Sequence, residues 1–533
     1  MNKHGILNEK QILKSALILT IAGVITKILS AAYRIPFQNI AGDIGFYIYQ
    51  QVYPFYGIAL ILSTYGFPVV ISKIIAEVKE RKESEASHVM VVSFVFLSLF
   101  FIGLFLLLYT GAEKIASVMG DLELSIPLKV VSFSLLFIPI LSVLRGFFQG
   151  HHNMTPTAIS QIGEQTIRVT TILLVTYFLL SKGYSSYIGG AGAVFGSIIG
   201  GFCSTLILLL FWIKMNKGNW SSVPKLLPWK SSFIMVKAIV VQGFTICISS
   251  LFLILLQLVD AMTLYSQLLE SGNFSITAAK VAKGIFDRGQ PLVQLGTVVA
   301  TSLSLTLVPL ISSAKARNDF QYIKENVHLS IRISIVVGLG AALGLIAIIK
   351  PTNYMLFTNM DGSSVLAILA VTILFSSITM TAAAIIQGLG KPFAPAIYVL
   401  ISVFCKIIFN YLLIPSFGTT GAAFATVIAY IVATVLHIRL LANMLHLQFF
   451  SSYIKKSLFA GLCMVFCLYS YQFLLTQFFT AFQEGSRIVA TFQSFSAVIL
   501  GGIIYLFLIV KTNIFSEQEL RALPFGEKLT KVM

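Results

Sequence analysis

Residues 89–110 read VMVVSFVFLSLFFIGLFLLLYT, a stretch that contains no charged side chain. A helix of about 20 apolar residues is long enough to cross the hydrocarbon core of a bilayer. Similar runs recur along nearly the whole chain of 533 residues, of which 57% are hydrophobic and only 11% are charged. Soluble domains carry about 25% charged residues. The sequence therefore predicts an integral membrane protein that crosses the bilayer many times.

The spans are predicted to be helices rather than strands. A transmembrane strand alternates in polarity over about 10 residues, whereas these runs are continuously apolar. The pattern predicts an all-α fold of about fourteen transmembrane helices. The second span contains Pro54 and Gly66-Phe67-Pro68, and we expect it to be broken or kinked there. The predicted spans are 12–32, 47–72, 89–110, 126–148, 156–180, 189–213, 233–257, 289–312, 329–349, 365–387, 392–414, 421–444, 455–477 and 488–510.

The net charge of +17 is explained by membrane topology. If the amino terminus is inside, most Lys and Arg residues lie in the loops on that same side. The positive-inside rule then predicts that both termini are cytoplasmic. Contacts with anionic lipid head groups account for a smaller share of the charge, and nucleic acid is not an expected partner. One inner loop, 214–237, has no acidic residue and carries Lys214, Lys217, Lys225, Lys230 and Lys237.

Short motifs recur in the same order in the two halves of the chain. They predict a duplicated six-helix unit in parallel orientation, with a central cavity between two bundles suited to alternating access. The predicted domains are 1–228, 229–450 and 451–533, the last holding two further helices and a cytoplasmic tail. The alternative is coincidence among spans rich in Gly and Ala. The matches are Gly189-x-x-Gly192-Ala193-x-Phe195 with Gly418-x-x-Gly421-Ala422-x-Phe424, Gln149-Gly150 with Gln387-Gly388, and Ser63, Pro68 and Ser72 with Ser304, Pro309 and Ser313.

The fifth span carries a polar stripe. Glu164 and Arg168 are four residues apart, so they lie on one helix face and can pair, and Gln161 and Gln165 share that face. Ionisable groups at membrane depth are costly and usually serve a function. One interpretation is that the stripe lines a cavity and contacts sugar hydroxyls, phosphate or a coupling proton. The other is a structural ion pair that joins helices.

Basic residues on other spans predict an anionic substrate. Lys27 and Arg34 lie on the first span or at its outer end, and arginine binds phosphate groups in a bidentate way. Snorkelling toward the interface is the alternative for Arg34. Arg288 opens the eighth span beside Asp287, with which it can pair.

Two further polar sites are weaker candidates. Lys406 and Asn410 form a polar pair on the eleventh span, the repeat counterpart of the fifth. Asp260 ends the seventh span and is either interfacial or a site for a coupling cation, H⁺ or Na⁺.

Five motifs stand out along the chain: Ala22–Leu29, Tyr33-Arg34-Ile35-Pro36, Tyr49–Pro54, Ser63–Pro68 and Asp287–Thr297. They resemble motifs of the stage V sporulation protein B-like branch of the polysaccharide transporter family. That family lies within the multidrug/oligosaccharidyl-lipid/polysaccharide exporter superfamily. The resemblance covers nearly the whole chain and implies a bacterial cytoplasmic membrane flippase that moves a polyprenyl-pyrophosphate-linked saccharide outward. One departure concerns the lipid II flippases, which carry an acid nine residues before the second-span proline and an arginine three residues after it, where this chain has Gly45 and Gly57.

Other functions fit the sequence less well. A cationic-drug antiporter of the same superfamily would favour acidic residues in its spans, but basic ones predominate here. An enzyme would need paired carboxylates on a sizeable extramembrane surface, and the longest predicted external connection, 258–288, is short. A scaffold protein would not need the charged stripe. We expect a monomer without catalytic residues, cofactor or metal site, and without a nucleotide-binding loop that would permit ATP hydrolysis. The five cysteines are interpreted as packing residues.

Overall fold

The computed structural model describes residues 3–79, 84–215, 229–447, 452–479 and 486–517, and residue 519. These residues form helices and connecting turns, with no strand among them. They fall into two compact units, Met1–Asp287 and Arg288–Met533. The domain boundaries predicted from the sequence repeat do not coincide with the boundary between these two units. They remain a prediction. Much of the basic loop 214–237, including Lys217 and Lys225, lies outside the described residues.

The helices of the first unit include a short π-helical segment, Leu62–Gly66, and two 3₁₀ segments, Leu122–Leu124 and Phe133–Phe137. Its α-helices are α1 Lys3–Ala32, α2 Arg34–Ile61, α3 Phe67–Lys79, α4 Ser84–Val118, α5 Ser125–Ser132, α6 Ile138–Gly150, α7 Thr155–Ser181, α8 Ser186–Met215, α9 Trp229–Ser250, α10 Phe252–Glu270 and α11 Ile276–Asp287.

The second unit is also built from helices that vary widely in length. They are α12 Gly289–Gly296, α13 Val298–Ala316, α14 Phe320–Ala347, α15 Ile349–Phe357, α16 Ser363–Ala370, α17 Thr372–Gly388, α18 Phe393–Leu445, α19 Ser452–Phe479 and α20 Arg487–Lys511.

Eleven helical segments in the described part of the chain are long and apolar enough to cross a membrane, which confirms a multi-pass protein. One of them, α18, has 53 residues, more than twice the length that a crossing requires. Within it, Lys406 Nζ donates a hydrogen bond of 2.8 Å to Thr426 Oγ1. Residues 20 positions apart in a straight helix are about 30 Å apart. The segment therefore folds back on itself, at Gly418, where φ is 56°.

The first long segment, Ile18–Val78, reverses in the same way. The hydroxyl oxygens of Tyr33 and Tyr49 are 2.5 Å apart, although a straight helix would separate these residues by about 24 Å. Between them, Gly42 has φ 68° and ψ −178°, a conformation that is essentially limited to glycine. With both long segments counted as hairpins, the eleven segments make thirteen crossings, close to the predicted total of about fourteen.

The expected distortion of the second span is confirmed. The π-helical turn Leu62–Gly66 separates α2 from α3, and a π-turn of this kind holds backbone groups outside the regular helical ladder. One of these groups, the carbonyl oxygen of Ser63, accepts a hydrogen bond from Arg145 Nη1 at 3.0 Å. Pro54, in contrast, lies inside α2.

The predicted end of the seventh span is wrong. That span was expected to cover 233–257, but α9 ends at Ser250 and α10 runs from Phe252 to Glu270. The predicted external connection 258–288 is consequently mostly helical. The prediction ended the span too early because α10 has a polar face, and these polar residues lower the local hydropathy. The face is nevertheless buried inside the unit. This face consists of Gln257, Asp260, Thr263 and Gln267.

Matching contacts in the two units support the internal repeat. A Cβ atom added at Gly150 would lie 3.0 Å from the carbonyl oxygen of Ser72 on α3. A Cβ atom added at the matched Gly388 would lie 3.0 Å from the carbonyl oxygen of Val308 on α13. Small residues at such positions let membrane helices approach closely. The repeated Gln-Gly motif therefore has the same packing role in each unit.

We expect Gly42→Ala to destabilise the folded protein by about 1–3 kcal/mol, because alanine would be strained by the backbone conformation at this position. Steric contact does not contribute, since an added Cβ atom would have no neighbour within 4 Å. Thermal unfolding in detergent measures the change. Gly502→Ala is the matched control, since Gly502 is helical and also has no neighbour within 4 Å of the added atom. Equal melting temperatures for the two variants would contradict the assigned strain.

Candidate functional site

A cluster of tyrosines and arginines forms inside the first unit around the Gly42 reversal. This reversal brings Tyr33, at the end of α1, against Tyr49 on α2, and their rings meet edge to face with centroids 6.2 Å apart. Tyr53 follows one helical turn later, with its ring centroid 5.9 Å from that of Tyr49. All three side chains are buried. Their aromatic faces and hydroxyl groups are suited to surround a cation without neutralising it.

Arg168 enters this cluster from α7. Its Nη2 donates hydrogen bonds to Tyr33 Oη at 2.8 Å and to Tyr49 Oη at 3.1 Å. Its Nη1 donates to Gln165 Oε1 at 2.8 Å, and its guanidinium carbon lies 4.4 Å from the centroid of the Tyr56 ring. These partners are all neutral, so the guanidinium group keeps its full positive charge.

The predicted pairing of Glu164 with Arg168 is wrong. Glu164 Oε2 instead accepts a hydrogen bond of 2.7 Å from Arg145 Nη2, and both side chains are buried. Arg145 also donates to Ser204 Oγ on α8 at 2.9 Å and to Thr64 Oγ1 at 3.1 Å. Because this ion pair joins α6, α7, α8 and the π-helical turn, the geometry favours the structural interpretation for Glu164.

Arg34, at the start of α2, is the most unusual side chain in the unit. It is 0% exposed, yet none of its three guanidinium nitrogens has a hydrogen-bond acceptor among the described residues. Its guanidinium carbon lies 4.2 Å from the centroid of the Tyr53 ring. A buried charged donor left without a partner is costly. Such a group is well suited to bind an anion that supplies the missing acceptors.

Two further buried acidic residues of the first unit lie on α10 and α11. Asp287 accepts two hydrogen bonds from Lys283 Nζ, at 2.7 and 2.6 Å. Asp260 is 1% exposed in the middle of α10, so the expectation that it lies at a span end or interface is wrong. The prediction from averaged hydropathy missed the burial of Asp260, because the polar face of α10 lowers the mean hydropathy of that helix.

The remaining predicted site residues are divided between the units. In the first unit, Gln161 is buried and Lys27 is partly exposed. In the second unit, Arg288 Nη1 donates to Asn359 Oδ1 at 2.6 Å, and Lys406 binds Thr426 while Asn410 is buried. The functions assigned to these residues remain predictions.

Sequence reasoning missed several members of the cluster. Arg145 was not singled out as a candidate, although it lies within the predicted span 126–148 and is 0% exposed. The tyrosines were noticed only as part of a family motif. The available signal was the four-residue spacing of Tyr49 and Tyr53, which places both rings on one face of the helix.

Charges are unevenly compensated within the first unit. Three buried or nearly buried cations have a carboxylate partner: Arg145 pairs with Glu164, Lys283 with Asp287 and Lys280 with Asp121. In the part of the unit that the structure describes, Arg34 and Arg168 have no carboxylate oxygen within 4.0 Å. The interior around α2 and α7 is therefore positively charged and lined with tyrosine.

The described residues include no group of three or more His, Cys, Asp or Glu side chains that could hold a metal ion. The arrangement that they do contain, an arginine lacking acceptors beside an arginine held by neutral hydroxyls, fits an oxyanion such as a phosphate group.

Comparisons with known proteins agree with the helical architecture. The model of the family "Polysaccharide biosynthesis protein" matches residues 12–315, and the MatE model matches residues 245–412. The chain is 42% identical to the uncharacterized membrane protein YabM of Bacillus subtilis, covering 98% of this chain and 96% of that protein. It is 26% identical to the lipid II flippase MurJ of the same organism, covering 94% and 95%.

Further similarity extends to stage V sporulation protein B of Bacillus subtilis, at 25% identity over 98% of this chain and 99% of that protein. Among solved structures, the inward closed conformation of the lipid II flippase MurJ superposes with a TM-score of 0.68 at 17% identity, covering 93% of this chain and 99% of that chain. The fold is that of the flippases and transporters of the MOP superfamily. The chain belongs to the polysaccharide biosynthesis protein family, which confirms the resemblance found in the sequence motifs.

Proposed function

We propose that this protein is a flippase that moves a polyprenyl-pyrophosphate-linked saccharide from the inner to the outer leaflet of the bacterial cytoplasmic membrane. It acts without ATP, by alternating access, with both termini in the cytoplasm. The observation that carries the proposal is the buried Arg34, which has no hydrogen-bond acceptor among the described residues. A pyrophosphate group supplies negative charge and several acceptor oxygens at once.

The second cation of the site gives this anion a defined position. Arg168 is held by Tyr33 and Tyr49, so its side chain is ordered before the substrate arrives. Preorganised donors lose less conformational entropy on binding than mobile ones. In the proposed complex Arg34 binds the pyrophosphate directly, and Arg168 provides a fixed positive field beside it.

The remaining predicted residues have supporting roles in the proposal. We propose that Lys27 in the first unit, and Arg288 and Lys406 in the second, each contribute positive charge for an anionic head group. Gln161 and Gln165 offer amide groups to sugar hydroxyls. The polyprenyl tail stays in lipid throughout. The names of the relatives support this substrate class, since one of them is a lipid II flippase, although Gly45 and Gly57 replace residues typical of that group.

Reconstitution of the full chain into lipid vesicles tests the proposed function. A labelled polyprenyl pyrophosphate saccharide should cross between leaflets faster than in protein-free vesicles, and a labelled polyprenyl alcohol of the same length should not be accelerated. The rate should not depend on added ATP. Binding of a cationic drug in competition with the lipid pyrophosphate would instead identify a drug antiporter. Equal rates for the pyrophosphate and the alcohol would exclude the proposed site.

A further inference from the structure

Two glutamine side chains, one on each arm of α2 before and after its reversal, keep a carbonyl oxygen without a hydrogen-bond donor. Gln38 is 4% exposed and Gln50 is 6% exposed, and neither Oε1 atom has a donor among the described residues. The amide group of Gln38 is fixed in direction, because its Nε2 donates a hydrogen bond of 2.9 Å to Asp43 Oδ1. A buried acceptor without a donor is costly and requires an explanation.

Each glutamine is a neighbour of Arg34 or of the tyrosine ring that Arg34 covers. Gln38 follows Arg34 by four residues in one helical arm, so their side chains share a helix face, with Cβ atoms about 5–6 Å apart. Gln50 precedes Tyr53 by three residues and is its neighbour in the same way. The guanidinium carbon of Arg34 lies 4.2 Å from the centroid of the Tyr53 ring. The two amide oxygens and the guanidinium group therefore belong to one buried cluster.

The donors and acceptors of this cluster do not satisfy one another. Within the described residues, the three guanidinium nitrogens of Arg34 have no acceptor, while Gln38 Oε1 has no donor. Polar side chains at this spacing commonly bond to each other. A ligand that satisfies both must present acceptor oxygens and, close beside them, a hydroxyl or N–H donor. An amide oxygen suits this position, since a carboxylate would repel an anion bound at Arg34.

We propose that Gln38 and Gln50 accept hydrogen bonds from the first sugar of the lipid-linked saccharide, so that the site selects lipids whose pyrophosphate carries a sugar. The inference rests on the proposed function and assigns its specificity. Arg34 binds the anion, and the hydroxyl or acetamido group next to the glycosidic bond lies beside that anion. Because both glutamines are closed to solvent in this conformation, the ligand enters when the helices part, as alternating access requires.

Two probes of equal charge test the inference. One is farnesyl pyrophosphate esterified to N-acetylglucosamine. The other carries cyclohexanol in place of the sugar, so both have the same anion and a six-membered ring. Calorimetry measures the binding of each probe to the full chain in detergent. We expect the sugar probe to bind at least about tenfold more tightly, the effect of two hydrogen bonds of ordinary strength. Equal affinities for the two probes would overturn the inference.

The double variant Gln38→Met with Gln50→Met removes both amide oxygens but keeps side chains of similar length. Its affinity for the cyclohexyl probe should be unchanged or higher, and its preference for the sugar probe should fall by about tenfold. The combination of two proteins with two probes isolates the contact between the amides and the sugar. An unchanged preference, or an equal loss of affinity for both probes, would contradict the assignment.

Gln51→Met is the matched control. Gln51 is also buried, and its Oε1 also has no donor among the described residues. Its Nε2 donates to the carbonyl oxygen of Ala261 on α10, and it lies two residues from Tyr53, on the opposite side of α2. The control and the double variant each lose one hydrogen bond of the folded protein, so their melting temperatures should be similar. The control should keep the full preference for the sugar probe, and a loss there would contradict the assignment.

Failure of this inference and failure of the proposed function give different results. If the unaltered chain binds neither probe and does not accelerate lipid-pyrophosphate movement across vesicles, the flippase proposal itself is wrong. If the chain transports the lipid pyrophosphate but binds the two probes equally, only the sugar site fails.

Discussion

Replacing Arg34 with Gln is expected to reduce the rate of lipid-pyrophosphate transport by roughly tenfold to a hundredfold. Hydrogen bonds to a charged group contribute about 1.5–3 kcal/mol each, and the substitution removes the one buried guanidinium group that has no acceptor among the described residues. Vesicle transport with a labelled polyprenyl pyrophosphate saccharide measures the loss. Arg34→Lys keeps the charge but not the bidentate geometry, so an intermediate rate is expected.

The stability of the Arg34→Gln variant separates a binding role from a structural one. Because Arg34 makes no hydrogen bond within the described structure, its replacement should leave the melting temperature in detergent unchanged or higher. Arg317→Gln, the same substitution at an exposed site on the turn after α13, is the matched control and should transport normally. A loss of transport accompanied by a comparable loss of folded protein would assign Arg34 a structural role instead.

Arg145→Met is expected to destabilise the first unit by about 3–5 kcal/mol, because it leaves Glu164 as a buried carboxylate without its partner. Four further hydrogen bonds, to Ser63, Thr64, Ser160 and Ser204, are lost with the guanidinium group. The measurements are the yield of folded protein and its thermal unfolding in detergent. The double variant Arg145→Met with Glu164→Gln should be less destabilised than Arg145→Met alone, since no uncompensated charge remains.

A surface ion pair of the same unit supplies the control for this prediction. Lys129 Nζ lies 2.8 Å from Glu113 Oε1, and both side chains are well exposed. Exposed pairs contribute about 0–1 kcal/mol, so Lys129→Met should leave the melting temperature nearly unchanged. If Arg145→Met and Lys129→Met unfold at the same temperature, the buried pair has no special structural role.

The contrast between Arg145 and Arg168 explains why the sequence alone did not identify the partner of Glu164. Glu164 and Arg168 are four residues apart, and periodicity within one helix predicted a pair. Arg145, 19 positions before Glu164, reaches the same carboxylate from α6. Partners contributed by another helix depend on helix packing, which periodicity within a helix does not report. Arg168 therefore has no carboxylate partner among the described residues and donates hydrogen bonds to Tyr33 and Tyr49 instead.

Other features were predictable to different extents. The distortion near Gly66 was predicted because glycine and proline disfavour the interior of a regular helix. It is confirmed as a π-helical turn. The end of the seventh span was wrong because Gln257 and Asp260 lower the average hydropathy of a helix that is packed against protein. Hydropathy distinguishes polar from apolar residues, but not lipid from protein as the neighbour of a helix.

The sequence by itself determined that this protein is a multi-pass helical membrane protein of the polysaccharide biosynthesis family, and that its spans contain an excess of basic residues. Both conclusions depend on composition and local order along the chain, because the bilayer imposes length and polarity on every crossing. Only the tertiary structure decided which of those basic residues are neutralised. That outcome depends on side chains from different helices meeting at a few ångströms, and it leaves Arg34 and Arg168 without a carboxylate partner in the part of the chain that the structure describes.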